Sequence, residues 1–146
     1  MSKILSNKSV FCTLFAVALV LVISGFAITR NSSAIRLESE EERQSYISSL
    51  GITVADTPPV IRNIIIPADF PPVYDKYNEL QKKSGFDLYS YRGEYAVQYT
   101  YTVVNYINDE GEAESNVRVN LILHEGKLIG GDISSTRLDG FMKGLG

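Results

Sequence analysis

Residues 10 to 28 read VFCTLFAVALVLVISGFAI, and no charged side chain interrupts them. At ~1.5 Å per residue such a run makes a helix of about 28 Å, close to the ~30 Å of a bilayer hydrocarbon core. The pattern predicts a transmembrane helix over 10–28. Lys3 and Lys8 precede it without an acidic residue between them. By the positive-inside rule residues 1–9 are then cytoplasmic, and everything after the helix is extracytoplasmic. A cleaved signal peptide is the competing reading, because Gly25-Phe26-Ala27 offers small residues near the end of the run. The run is longer than the ~7–15 residues usual for a signal core, which favours an uncleaved anchor. Both readings export the same domain.

Beyond the run the periodicity changes. Residues 29–39 read as a stalk. Ser39-x-x-Glu42 has the form of a capping box, and Glu40, Glu41 and Glu42 load the first turn of the helix that follows. That helix spans about 40–50, with Tyr46, Ile47 and Leu50 on its buried side and Gly51 as its stop. Ile52–Val54 suggests a short strand. VIRNIII (60–66), rich in β-branched residues and closed by Pro67, predicts a strand buried on at least one face. Pro71-Pro72 opens a second helix, over about 72–84. Val73, Tyr77 and Leu80 share one of its faces, Glu79 can pair with Lys83, and Gly85-Phe86 has the form of a Schellman ending.

The remainder alternates with period two. Tyr95, Val97, Tyr99, Tyr101 and Val103 interleave with Ala96, Gln98, Thr100 and Thr102. Val117, Val119, Leu121 and Leu123 interleave with Arg118, Asn120, Ile122 and His124, and Glu125-Gly126 then reads as a tight hairpin into a strand over 127–134. Leu138 and Phe141 are expected to tuck a short C-terminal segment against the sheet. The fold class that follows is α+β: an N-terminal transmembrane helix, then a small domain over 40–146 with two helices packed on one face of an antiparallel sheet, ending in a three-stranded meander.

Composition narrows the chemistry. Cys12, inside the apolar run, is the sole cysteine, so the exported part has no disulfide and folds on an ordinary core. That part holds 17 acidic and 12 basic residues, a dispersed net charge of −5 that disfavours nucleic acid and anionic lipid as partners.

The stretches YNELQKKSGFDLYSYRG (Tyr77–Gly93) and GKLIGGDISSTRLDGFMKGL (Gly126–Leu145), with Ser49-Leu50-Gly51 and Ile66-Pro67, resemble the bacterial family called domain of unknown function 4830. The resemblance extends over nearly all of residues 40–146. It implies a small exported or membrane-tethered protein, and it carries no activity, ligand or catalytic residue across.

Candidate sites come from the residues themselves. The only histidine, His124, sits beside the hairpin, where solvation is the simpler reading than catalysis. No zinc ligand set exists, and Asp109-Glu110-Gly111-Glu112-x-Glu114 lacks EF-hand spacing, so no metal or other cofactor is expected. Gly130-Gly131-Asp132 is more informative, since paired glycines within a strand mark a bulge or a close backbone approach. Asp132, Ser134, Ser135 and Asp139 then form a candidate polar binding cluster, against the simpler reading of a Ser/Thr turn. Nine tyrosines, none before Tyr46, raise a second candidate: Tyr95 and Tyr99, with Tyr101, could stack on a sugar or a partner, against ordinary core packing. The leading expectation is a non-catalytic binding or interaction module, its partner an envelope protein, a peptide or cell-wall glycan. The alternative is a small-ligand sensor or enzyme using the region of Asp132 and Asp139.

Overall fold

The structure is a computed structural model that describes residues 34–146. The predicted transmembrane helix over 10–28 lies outside the described residues. Two α-helices and one antiparallel sheet make up the rest: α1 (Glu40–Ser49), β1 (Val60–Ile65), α2 (Pro72–Lys83), β2 (Tyr95–Thr102), β3 (Val117–His124), β4 (Lys127–Ser135) and β5 (Met142–Gly144). The sheet order follows the chain, β1-β2-β3-β4-β5, and every pairing is antiparallel. The α+β class is therefore the one the sequence pattern predicts, with two more strands than the meander alone.

Both helix starts follow local chemistry. Ser39 Oγ accepts the Glu42 N–H at 3.1 Å, while the Glu42 carboxylate accepts the Ser39 N–H at 2.8 Å, a complete capping box. Pro72 occupies the first turn of α2, where no internal N–H bond is required. Both helices end in Schellman motifs. Phe86 N–H reaches Gln81 C=O at 3.1 Å, with Gly85 at φ +81°, and Gly51 at φ +78° closes α1 in the same way. Glu79 pairs with Lys82 at 3.2 Å instead of Lys83.

The two helices lie on opposite faces of the sheet, which corrects the expectation of a single covered face. Val117, Val119, Leu121 and Leu123 of β3 pack with Ile47 of α1, whereas Ile122, between them in sequence, packs with Ala96, Ile129, Leu88 and, from α2, Tyr77. Side chains alternate along a strand, so these two sets necessarily belong to two faces. The polar set Gln98, Thr100 and Asn120 looks solvent-facing in sequence, but it shares the α2 face.

Three further expectations change. Part of the stalk belongs to the domain: Leu37 is buried, its N–H donates to Gly126 C=O at 2.8 Å, and Ile35 C=O accepts from Leu128 N–H at 2.8 Å. Strand β1 is exposed over most of its length, because among the described residues it is an edge strand paired with β2 alone. Leu138 is fully exposed, whereas Phe141 packs against the core as expected and the C-terminal segment adds β5 and buries Leu145.

Candidate functional site

Helix α2 contacts β4 and β5. It can sit close there because there is no side chain at Gly130 of β4 or at Gly144 of β5, where a Cβ would lie 2.2 Å from Ser84 Oγ. A Cβ at Gly130 would lie 2.9 Å from Gln81 Oε1, and one at Gly131 would lie 2.3 Å from the Asn120 carbonyl oxygen and 2.4 Å from Leu145 Cδ1. The register slips by one residue at this point: Ile122 faces Gly130 and Leu123 faces Leu128, so Ile129 is extra. Gln81 Oε1 accepts the Gly131 N–H next to this bulge, at 2.8 Å. The glycine pair is thus both a bulge and a close approach, as its spacing suggests.

Toward β1 the helix leaves the sheet uncovered, and a groove of about 640 Å³ opens there. Its walls are Ile64, Ile66 and Pro67 on one side and Val73, Tyr77 and Leu80 on the other. Its floor is polar. Asp132 is 3% exposed. Tyr77 Oη donates to Asp132 Oδ2 at 2.8 Å, and Asn120 Nδ2 donates to Asp132 Oδ1 at 2.8 Å. Asn120 Oδ1 in turn accepts from Gln98 Nε2 at 3.0 Å and from Thr100 Oγ1 at 2.6 Å. Both carboxylate oxygens are satisfied by neutral donors, and among the described residues no cation pairs with Asp132. Burial, and then the Asp132 charge and hydrogen bond, push the Tyr77 phenol far above its usual range, so it serves here only as a donor.

The candidate residues divide. Asp132 anchors the floor, and Ser134 lies beside it, 3.5 Å from Asn120 Nδ2. Ser135 faces away and forms a turn, its Oγ accepting from Arg137 N–H at 3.4 Å and its N–H donating to Phe141 C=O at 3.0 Å. Asp139 is exposed, 3.9 Å from Arg137, in a separate depression shared with Asp109, Glu110 and Lys143. Asp132 and Asp139 do not converge. Tyr99 lies on the α1 face under the Arg43 guanidinium, 4.0 Å from its ring centre, while Tyr101 Oη bonds Arg43 and Glu40. Those two rings are structural. Tyr95 is 73% exposed. Its carbonyl bonds His124 Nδ1 at 2.8 Å, which holds that ring against Tyr91 and off the groove. Among the described residues no three His, Cys, Asp or Glu side chains gather as metal ligands.

Sequence reasoning missed Tyr77, Gln98, Thr100 and Asn120 as site residues. The available signal was their coincidence: three amide or hydroxyl side chains on one face of two adjacent strands, in register with a buried aspartate.

Residues 63–133 match the model of the family described as Domain of unknown function (DUF4830). The chain carries a DUF4830 domain. The match is narrower than the span of residues 40–146 suggested by resemblance. The DUF4830 span begins within β1 and ends within β4, so it holds the groove floor and the groove lining except Met142, and it omits α1 and β5. No curated protein and no solved structure matches the chain.

Proposed function

We propose that the DUF4830 domain is a non-catalytic binding module, displayed on the outer side of a membrane by the apolar segment 10–28, and that the α2–β1 groove is its ligand seat. The observation that carries this reading is the groove itself: aliphatic walls over a buried, fully hydrogen-bonded carboxylate. Such a site suits the apolar side chains of an extracytoplasmic protein or peptide. Cell-wall glycan fits less well, because, of the three candidate tyrosines, Tyr95 alone is open, while Tyr99 and Tyr101 are engaged by Arg43. The alternative of a small-ligand sensor or enzyme using Asp132 and Asp139 together has less support, since the two line different surfaces. Charge supports the export reading, through Lys3 and Lys8 before the run and the absence of cysteine after it.

Photo-crosslinking in intact cells tests the reading. A benzoylphenylalanine at Val73, on the groove rim, should yield a discrete adduct that the same probe at exposed Leu138 does not. Leu80→Trp, which fills the groove, should abolish the adduct while circular dichroism stays unchanged. Identical adducts at 73 and 138 would refute the seat. Externally added protease should remove the domain from intact cells, and full protection would refute the outward topology.

A further inference from the structure

We propose that the free edge of β1 is the docking surface for a second copy of this chain, paired antiparallel about a twofold axis at Asn63. Natural sheets blunt their edges with short strands, prolines, lysines or bulges. The β5 edge is blunt, being three residues long. Strand β1 is six residues of unbroken register with no bulge, no internal proline and one charge, Arg62. Its side chains are open, with Val60 49%, Ile61 58% and Ile65 56% exposed. Ile65 lies opposite the exposed Tyr95, so the apolar patch continues onto β2.

Backbone parity defines what this edge offers. Ile66 N–H donates to Glu94 C=O at 2.9 Å, so Ile66 faces β2. Alternation along an antiparallel strand then turns the N–H and C=O groups of Ile61, Asn63 and Ile65 outward. Among the described residues these groups have no further backbone partner.

A twofold axis at Asn63 uses all three outward residues. Asn63 pairs with the second copy's Asn63, and Ile61 with the second copy's Ile65 in both directions. Arg62 then faces Ile64, so the two guanidiniums are not opposed. Neighbouring registers fail. An axis at Arg62 opposes the two arginines and sets Ile65 against Pro59, which has no N–H. An axis at Ile64 sets Ile61 against Pro67. Asn63 is the midpoint between these two prolines, which is why the strand is complementary to itself in one register and not in the next. The edge shares Ile64 and Ile65 with the groove wall and nothing with its floor, and cross-linking across the strand edge reads the pairing whether or not the groove binds a ligand.

Cysteine cross-linking of the full-length chain in intact cells tests it, in a Cys12→Ser background. Directly opposed residues of a hydrogen-bonded pair have Cα atoms about 5.5 Å apart, within disulfide range. Mild oxidation should give several-fold more disulfide dimer from Asn63→Cys than from Leu138→Cys. Co-expressed Ile61→Cys and Ile65→Cys chains should cross-link to each other more than either does to itself. Ile61→Lys added to Asn63→Cys should remove the dimer without altering circular dichroism. Equal cross-linking at 63 and 138, self-linking of Ile61→Cys above the mixed pair, or a disulfide to a different protein would each overturn the proposal.

Discussion

Replacing Tyr77 by Phe removes one oxygen and leaves the ring that packs in the groove wall. It also leaves Asp132 Oδ2 without its donor among the described residues, in a residue 3% exposed. A hydrogen bond to a charged group contributes ~1.5–3 kcal/mol, so Tyr77→Phe should cost about 2 kcal/mol. With a urea slope near ~1.5 kcal/mol/M, the unfolding midpoint should fall by about 1.3 M. Asp132→Asn should be milder. Asn120 Oδ1 is committed to Gln98 and Thr100, so Asn120 can only donate to position 132. The new amide must therefore turn its oxygen to Asn120 and its NH2 to Tyr77 Oη, which can accept. The carboxylate charge is gone, so Tyr77→Phe in that background should cost only ~1 kcal/mol, a coupling of about 1 kcal/mol. The full-length chain in non-ionic detergent, followed by circular dichroism through a urea titration, gives all four corners of the cycle. A cost for Tyr77→Phe below ~0.5 kcal/mol, or equal costs in both backgrounds, would refute the idea of a buried carboxylate held by that phenol.

Two other perturbations probe different layers. Gly131→Ala sets a methyl against a carbonyl oxygen and a buried leucine, which should cost ~3 kcal/mol, whereas Gly130→Ala meets only side-chain atoms of Gln81 and Leu88 and should cost about 1 kcal/mol; thermal melts that rank them equally would contradict the close approach. Burial raises the Tyr101 phenol to about 12, so its contribution to stability is complete below the unfolded value near ~10 and is lost as pH rises from there through about 12; Tyr101→Phe should flatten that part of the stability–pH curve, and an unchanged slope would exclude Tyr101 as its source.

Local chemistry made much of the fold legible. Ser39 and Glu42, Pro72 and Gly85 each act through neighbours within five residues, so their helix ends could be placed from sequence alone. The hairpin was equally local, with Glu125 at φ +49° and Gly126 at φ +75°. Long-range facts were not legible. VIRNIII has the composition of an interior strand, and nothing within it says that it lies at the edge. Leu138 and Phe141 promise a tucked segment by hydrophobicity, and Phe141 does pack on the core, but the turn between Ser135 and Phe141 leaves Leu138 in solvent.

The deepest misreading concerns the polar half of the alternation. Gln98, Thr100 and Asn120 alternate with large apolar residues, and a sheet with one wet face predicts that pattern. A sheet covered on both faces predicts it too, provided the polar side chains on the second face satisfy one another. Asn120 does this by accepting twice and donating to Asp132, its register partner on β4, while α2, close to the sheet at Gly130 and Gly144, brings Tyr77 to the same carboxylate. The glycine pair is a local signal in the sequence, while the close approach that Gly130 permits is tertiary. Drawn onto β4 and β5, α2 cannot also cover β1. The same packing that buries Asp132 therefore opens the groove, while the β1 edge is free for a separate reason, its place at the end of the strand order.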